Sequence, residues 1–221
     1  MRASRRARLL LLLLVSALAA GTWSCSSRPA AFKPVGAEDA RLALGAWENA
    51  IARADSLPAV RLLYDARLSE GLVKFPGTLA VILQPDRLEA TLTGPFGSPL
   101  AHYASGILEG RGLRPIPLDA EELRAVLAGV WRTPPEVAGA RGNQVLMRFP
   151  GGDRVEGVLD VAEARLESLH VNRPEADLVA TYGGTRNPWP ERITLEDRRS
   201  GRRVQLTLVA KEPADSAPAS P

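Results

Sequence analysis

Alternation of apolar and polar residues is the feature that most constrains the fold of this 221-residue chain. It begins near Val60 and is clearest from Arg203 to Leu208, where every second side chain is apolar. Side chains of a β-strand point to opposite faces in turn, so a period of two predicts strands with one buried face. We therefore expect a mainly β domain.

Ten candidate strands follow from this pattern. They span residues 60–69, 78–84, 87–93, 99–109, 144–149, 154–161, 164–171, 178–182, 191–197 and 202–210. Turn-forming residues separate several of them, as at Gln84-Pro85-Asp86, Gly151-Gly152-Asp153 and Ser200-Gly201. Short strands joined by tight turns indicate an antiparallel meander, whose apolar face must be covered or must curl into a barrel.

Two segments have helical spacing instead. Residues 38–57 precede Pro58, and their apolar residues near one face are Leu42, Trp47, Ile51 and Ala54. The second helix starts after Asp119, which with Glu122 forms a capping-box pattern between the apolar residues Leu118 and Leu123. Its stripe is Leu123, Val126, Leu127 and Val130, with Gly129 near its end. Such a helix is well placed to cover the inner side of a curved sheet.

The N-terminus has the layout of a secretory signal. Four arginines within Arg2–Arg8 precede the uncharged run Leu9–Ala20. The run is shorter than the roughly 20 residues that span a bilayer, so we favour a cleaved signal peptide, residues 1–24, over an anchor helix. Its removal takes four positive charges and lowers the net charge from +3 to −1. A nearly neutral chain argues against nucleic-acid binding.

Cys25 is the only cysteine, so the exported domain cannot contain an internal disulfide. Its position resembles the lipobox of bacterial lipoproteins, whose cysteine is acylated and becomes the new N-terminus. Ser24 fits that motif, whereas Thr22 and Trp23 depart from it. The alternative is a free cysteine after ordinary cleavage at Ala20. Diacylation plus N-acylation would anchor the chain stably.

The rest of the chain divides into three segments. Residues 25–37 read as the acylated cysteine and a tether, residues 38–210 as one domain, and residues 211–221 as a disordered tail rich in proline, alanine and serine.

The sequence carries no recognisable catalytic, metal or cofactor site. His102 and His170 fall in predicted strands and are expected to be solvent-facing or hydrogen-bonded. No nucleophile elbow or phosphate-binding glycine loop is present. The carboxylate pairs Glu121/Glu122 and Glu196/Asp197 are assigned to capping and to opposite strand faces. We therefore expect a protein that is not an enzyme and needs no cofactor.

Two turns stand out by composition. Arg198, Arg199, Arg202 and Arg203 flank one turn, and we favour an ordinary solvated turn beside Glu196 and Asp197 over a lipid-phosphate contact. The other turn is the segment 93–100, where Phe96 occupies a position that usually carries a polar residue. Phe96 either folds back onto the core or is presented to something apolar outside.

An ordered set of segments resembles the LolB family of outer-membrane lipoprotein receptors, relatives of the periplasmic carrier LolA. The segments are Tyr64-Asp65-Ala66-Arg67-Leu68, Arg87-Leu88-Glu89-Ala90, Gly94-Pro95-Phe96-Gly97-Ser98, Pro115-Ile116-Pro117-Leu118, Leu123-Arg124, Leu127-Ala128-Gly129, Tyr182-Gly183-Gly184 and Pro190-Glu191-Arg192-Ile193-Thr194-Leu195. They cover about residues 60 to 210, and the stretch 131–142 departs from the family pattern.

The resemblance implies an open antiparallel half-barrel of roughly ten to eleven strands, of mainly β (α+β) class, with an apolar cavity covered by helices. It implies a receptor on the periplasmic face of the outer membrane, lipid-anchored, that accepts acylated lipoproteins from a LolA-like carrier. Pro95, Phe96 and Gly97 would form the membrane-inserting loop, where the family carries a leucine. The cavity would be covered by the stripe of the second helix and lined either by Leu79, Val81 and Leu83 or by Ala80 and Ile82.

Two other functions use the same fold. One is a structural or assembly lipoprotein of the envelope that binds proteins, and the other is a sensor of mislocalised lipoproteins. We expect a monomer in each case.

Overall fold

The computed structural model describes residues 31–56, 58–71, 73–84, 87–104, 107–110, 118–184 and 189–214. The predicted signal peptide, Cys25 and residues 215–221 lie outside the described residues. All elements below belong to one compact unit, Phe32–Pro221.

Two helices and twelve strands are present in these described ranges. In chain order they are α1 (Ala37–Asp55), β1 (Val60–Glu70), β2 (Val73–Leu83), β3 (Leu88–Thr93), β4 (Pro99–Ala104), β5 (Ile107–Gly110), α2 (Ala120–Ala128), β6 (Glu136–Arg141), β7 (Gln144–Phe149), β8 (Arg154–Asp160), β9 (Arg165–Asn172), β10 (Asp177–Gly183), β11 (Arg192–Asp197) and β12 (Arg202–Pro213).

The strands form one open antiparallel sheet in the order β5-β4-β3-β2-β1-β12-β11-β10-β9-β8-β7-β6. Strands β1 to β5 are added one after another from the middle of the sheet to one edge. Strands β6 to β12 are added from the opposite edge back to the middle, where β12 pairs with β1. This confirms the predicted mainly β, open antiparallel architecture. The sheet has more strands than expected because the predicted strand 99–109 is divided into β4 and β5, and because β6 was missed. Strand β6 is rich in alanine and glycine and lacks the alternation that reveals a strand.

The chain must cross the sheet once. Strands β5 and β6 lie at opposite edges, so the segment that joins them passes from one edge to the other. Helix α2 lies in that segment, and its residues Val126 and Leu127 belong to the same hydrophobic core as the strands. The topology therefore places α2 over the face of the sheet that carries the core, which we call the inner face.

Helix α1 contacts the core through alanines. Ala43, Ala46 and Ala50 are buried. Of the apolar residues that the sequence places near one face, Leu42 is 56% exposed, whereas Ile51 and Ala54 are partly buried. Trp47 is partly buried, and its Nε1 donates to the Trp131 carbonyl at 3.0 Å.

Backbone pairing extends beyond residues 38–210 at both ends. Lys33, assigned to the tether, exchanges backbone hydrogen bonds of 2.9 and 2.8 Å with Ala140 and so pairs with edge strand β6. Glycine is needed beside it, since a Cβ at Gly139 would lie 2.9 Å from the Phe32 Cβ. At the other end, residues 211–213 pair with β1, so this part of the predicted tail is ordered. Composition could not show either pairing because the partner strand is distant in sequence.

Candidate functional site

The structure decides which face of β2 points inward. Val81 is fully buried, Leu83 is 5% exposed, and Leu79 packs against the core, whereas Ala80 and Ile82 point to the other face. The neighbouring strand β1 matches this pattern, with Leu62 and Tyr64 both fully buried. The first of the two alternative sets, Leu79, Val81 and Leu83, therefore belongs to the inner face. Their part in holding a ligand stays a prediction.

Helix α2 has the termini that its sequence predicts. The Glu122 amide donates to Asp119 Oδ1 at 2.9 Å, and the Asp119 amide donates to Glu122 Oε2 at 2.9 Å, which completes the capping box. Gly129 ends the helix with φ 66°, a conformation that glycine adopts without strain. Of the predicted stripe, Val126, Leu127 and Val130 are buried, and Leu123 is partly buried and packs on the core.

Polar contacts hold α2 to both halves of the sheet. Arg124 Nη1 donates to the Gln84 carbonyl at 2.6 Å, at the end of β2. Glu122 forms an ion pair with Arg173, which follows β9, and Arg173 Nε lies 2.8 Å from Asp153 Oδ2. The Arg173 and Glu122 side chains are only 12% and 13% exposed. No local pattern in the sequence distinguishes Arg173 from other turn arginines.

Three tyrosine hydroxyls in the interior have no hydrogen-bond partner within the described part of the chain. They belong to Tyr64, Tyr103 and Tyr182. Burial raises the pKa of all three phenols above the ordinary value, and the charge of Asp119 adds to the rise at Tyr103. The protein interior therefore contains three phenol hydroxyls that have no partner among the described residues.

We expect Tyr64→Phe to leave the stability unchanged or to raise it by up to about 1 kcal/mol. The substitution removes a hydroxyl that is desolvated without a partner and preserves the shape of the ring. Tyr64→Ala, by contrast, should cost about 3–5 kcal/mol because it leaves a cavity. Denaturant unfolding of both variants measures the difference. A loss above 1 kcal/mol in the phenylalanine variant would show that the hydroxyl is satisfied in solution.

The Phe96 loop projects from the sheet. Phe96 is 96% exposed, so the alternative in which it folds back onto the core is wrong. The loop is closed by backbone bonds from the Gly94 amide to the Ser98 carbonyl (2.8 Å) and from the Gly97 amide to the Gly94 carbonyl (3.0 Å). Gly97 adopts φ 74°, which favours glycine at this position. The turn thus presents a phenyl ring to the outside on an ordered backbone.

The histidines and carboxylates have local partners. His102 Nδ1 lies 2.9 Å from Thr91 Oγ1, and His170 Nε2 lies 2.5 Å from Asp177 Oδ1, as expected for hydrogen-bonded histidines. In the described ranges, no group of three or more histidine, cysteine or acidic residues could hold a metal ion. Neither described helix is long and apolar enough to cross a membrane.

The arginine-rich turn between β11 and β12 contains local contacts to Glu196 and Asp197. Arg203 Nη2 lies 2.6 Å from Glu196 Oε2. Asp197 Oδ2 accepts from Ser200 Oγ at 2.5 Å, and Asp197 Oδ1 accepts from the Arg199 amide at 3.1 Å. Burial raises the pKa of Asp197, but these hydrogen bonds outweigh it and hold the pKa below its usual value.

This depressed pKa predicts a loss of stability in acid. A carboxyl whose folded pKa is lowered stabilises the fold above its unfolded pKa, near 3.9, and that contribution disappears as the pH falls through the folded value. Asp197→Asn should therefore be less stable than the parent at neutral pH, and the difference should shrink as the pH falls through the lowered folded pKa of Asp197. Thermal unfolding over a pH series measures this. A constant difference across the series would contradict it.

Comparison with known proteins identifies the fold. No family model matches the sequence, and no curated protein matches it. A crystal structure from Vibrio parahaemolyticus, named as an outer membrane lipoprotein-sorting protein domain, matches with TM-score 0.53 and 10% identity, over 80% of this chain and 93% of that one. A LolA superfamily protein from Nitrosomonas europaea matches with TM-score 0.52 and 11% identity, over 75% and 92%. A DUF1329 family protein from Desulfovibrio piger matches with TM-score 0.53 and 9% identity, over 81% and 95%. The chain therefore shares the open-sheet fold of the LolA superfamily structure.

Proposed function

We propose that this protein is an envelope lipoprotein that holds acyl chains on the inner face of its sheet and receives lipoproteins from a periplasmic carrier. The observation that carries the proposal is an amphipathic helix, α2, across an apolar sheet face, on a domain whose exposed loop presents Phe96. Two of the structurally similar proteins are named for lipoprotein sorting or for the LolA superfamily, which supports this choice of ligand.

Acyl transfer of this kind needs no catalytic residue. Each acyl methylene that leaves water contributes about 0.8 kcal/mol to binding. A cavity of modest size can therefore compete with another binding protein for an acyl chain. A receptor must hold the chains better than the carrier does and less well than the bilayer. An inner face with Leu79, Val81 and Leu83, covered by the α2 stripe, has the chemistry for this role.

The proposal places the protein on the periplasmic face of the outer membrane. Acylation of Cys25 would supply the anchor there, and the carrier would be LolA-like. Phe96, with Pro95 and Gly97 in its loop, would enter the inner leaflet when cargo is delivered. Aromatic rings are well suited to the headgroup boundary.

A transfer assay tests the proposal. Residues 26–221, which include the whole compact unit, are incubated with a matched carrier loaded with labelled lipoprotein, and the label on each protein is measured after separation. We expect one-to-one transfer with acylated cargo and no transfer with cargo that lacks acyl chains. The absence of transfer from a competent carrier to the folded protein would overturn the proposal in favour of an envelope-assembly module.

A further inference from the structure

Three connections lie side by side at one end of the strands, the end that carries Phe96. The β3–β4 loop, the β1–β2 hairpin and the β11–β12 turn join strands that are consecutive in the sheet. Antiparallel pairing puts all three connections at the same end of their strands. Six strands at about 4.8 Å spacing give this edge a width of roughly 24 Å.

The β1–β2 hairpin presents apolar side chains beside Phe96. Phe75 is 48% exposed and Val73 is 51% exposed. Thr78 pairs with Thr93, so Phe75 and Phe96 each lie three residues beyond the last pair of adjacent strands. Phe75 is in the extended strand β2, whereas Phe96 is in a closed turn. The two rings therefore lie on neighbouring connections, both past the last β2–β3 pair.

The inner face continues without interruption to this hairpin. Phe75 pairs with Leu68, which pairs with Val204. Val204 in turn pairs with Leu195. Leu195 is buried, Leu68 and Val204 are partly buried and pack on the core, and Phe75 is half exposed. An apolar row thus crosses four neighbouring strands near their ends, from the buried Leu195 to the half-exposed Phe75 at the β1–β2 hairpin.

Basic side chains flank the apolar groups. Residues 70–75 and 196–203 contain five basic and three acidic side chains. Glu196 is paired with Arg203, and Glu70 lies 4.0 Å from Arg202. Arg199 donates to the Pro174 carbonyl, which leaves its charge uncompensated. Lys74 and Arg198 are exposed and have no acidic partner among the described residues. The edge therefore combines apolar projections with a surplus of positive charge.

We propose that this surface, defined by Val73, Phe75, Phe96, Lys74, Arg198 and Arg199 and called the hairpin edge, docks on an anionic lipid bilayer. The β1–β2 hairpin inserts beside the Phe96 loop, the basic residues contact lipid phosphates, and the apolar row provides the route by which chains leave the inner face. The last of these statements rests on the proposed function. The docking itself does not require cargo.

Vesicle flotation tests the docking. Residues 26–221 are mixed with vesicles of phosphatidylcholine alone or with added phosphatidylglycerol, over a series of salt concentrations. We expect binding that increases with phosphatidylglycerol and weakens with salt. Arg198→Gln should weaken binding about fivefold at low salt and have little effect at high salt, since each basic residue near an anionic surface contributes about that factor. Arg192→Gln, at the opposite end of β11, is the matched control and should have no effect.

The insertion of the β1–β2 hairpin into the bilayer is tested by vesicle binding of further variants and by the emission of an attached dye. Phe75→Ser should weaken binding about tenfold at every salt concentration, because part of a phenyl ring no longer enters the apolar layer. Val209→Ser, at a more exposed apolar residue of β12 away from this edge, should not. Residues 26–221 contain no cysteine, so Val73→Cys and Val209→Cys accept a single environment-sensitive dye. Only the dye at position 73 should shift to the blue on vesicles.

These outcomes separate the two proposals. The docking proposal would be overturned if Phe75→Ser and Arg198→Gln bound vesicles as well as the parent does. It would also be overturned if these variants bound the carrier more weakly but bound vesicles normally. Docking that follows the expected pattern supports the hairpin edge even if acyl transfer fails, and that failure would then count against the proposed function alone.

Discussion

Phe96→Glu is expected to abolish delivery of lipoproteins to the membrane while the fold stays intact. The ring is 96% exposed, so its replacement removes no packing from the core and should change the stability by less than about 0.5 kcal/mol. In the bilayer the variant loses the burial of a phenyl ring and gains a carboxylate that resists insertion. Together these effects amount to about 4 kcal/mol, or roughly a thousandfold in the inserted state.

The measurement is the transfer of labelled lipoprotein from the loaded protein to vesicles. Phe96→Leu preserves an apolar side chain and should retain most of the delivery. Val209→Glu places the same charge on an exposed strand position elsewhere and should deliver normally. Normal delivery by Phe96→Glu, with the controls behaving as stated, would exclude the loop from membrane insertion.

Glu122→Ala is expected to destabilise the domain by about 2–3 kcal/mol. The substitution removes one half of the capping box and leaves the largely buried Arg173 with Asp153 as its acidic partner. Truncating one member of a buried ion pair is costly because the other charge stays desolvated. For a domain of this size the midpoint of thermal unfolding should fall by about 4–12 °C.

Two further variants separate the contributions to this loss. Glu122→Gln can still accept from the Asp119 amide but carries no charge, so it reports the ion pair. Asp119→Ala removes the other half of the capping box, leaves the ion pair intact and should cost about 1 kcal/mol. Thermal and denaturant unfolding measure all three. If Glu122→Gln is as stable as the parent, the contact with Arg173 does not hold α2 in place.

The sequence predicted a strand or a helix correctly where a short spacing of residue types is enough to indicate it. The alternation Val204–Leu208 is a strand, and the Asp119/Glu122 pattern begins a helix that ends at Gly129. Both depend on contacts between residues a few positions apart, so a short window contains all the information.

Other features depended on partners far along the chain. Strand β6 and the bridge at Lys33 exist through pairing, and their own residues show no alternation. The fully buried residues of α1 are Ala43, Ala46 and Ala50, which the spacing of its larger apolar residues does not single out. The ion pair of Glu122 with Arg173 joins residues 51 positions apart.

The sequence by itself thus determined a β-meander, a capped helix and a turn that carries Phe96, because turn chemistry, capping and side-chain alternation are local. Only the tertiary structure decided which face of β2 is inward, that α2 lies in the segment that joins opposite edges of the sheet, and that Phe75 lies at the same end of the strands as Phe96. These facts depend on the pairing of β12 with β1, across more than 130 residues. That pairing is selected by the burial of the whole inner face, which no local segment specifies.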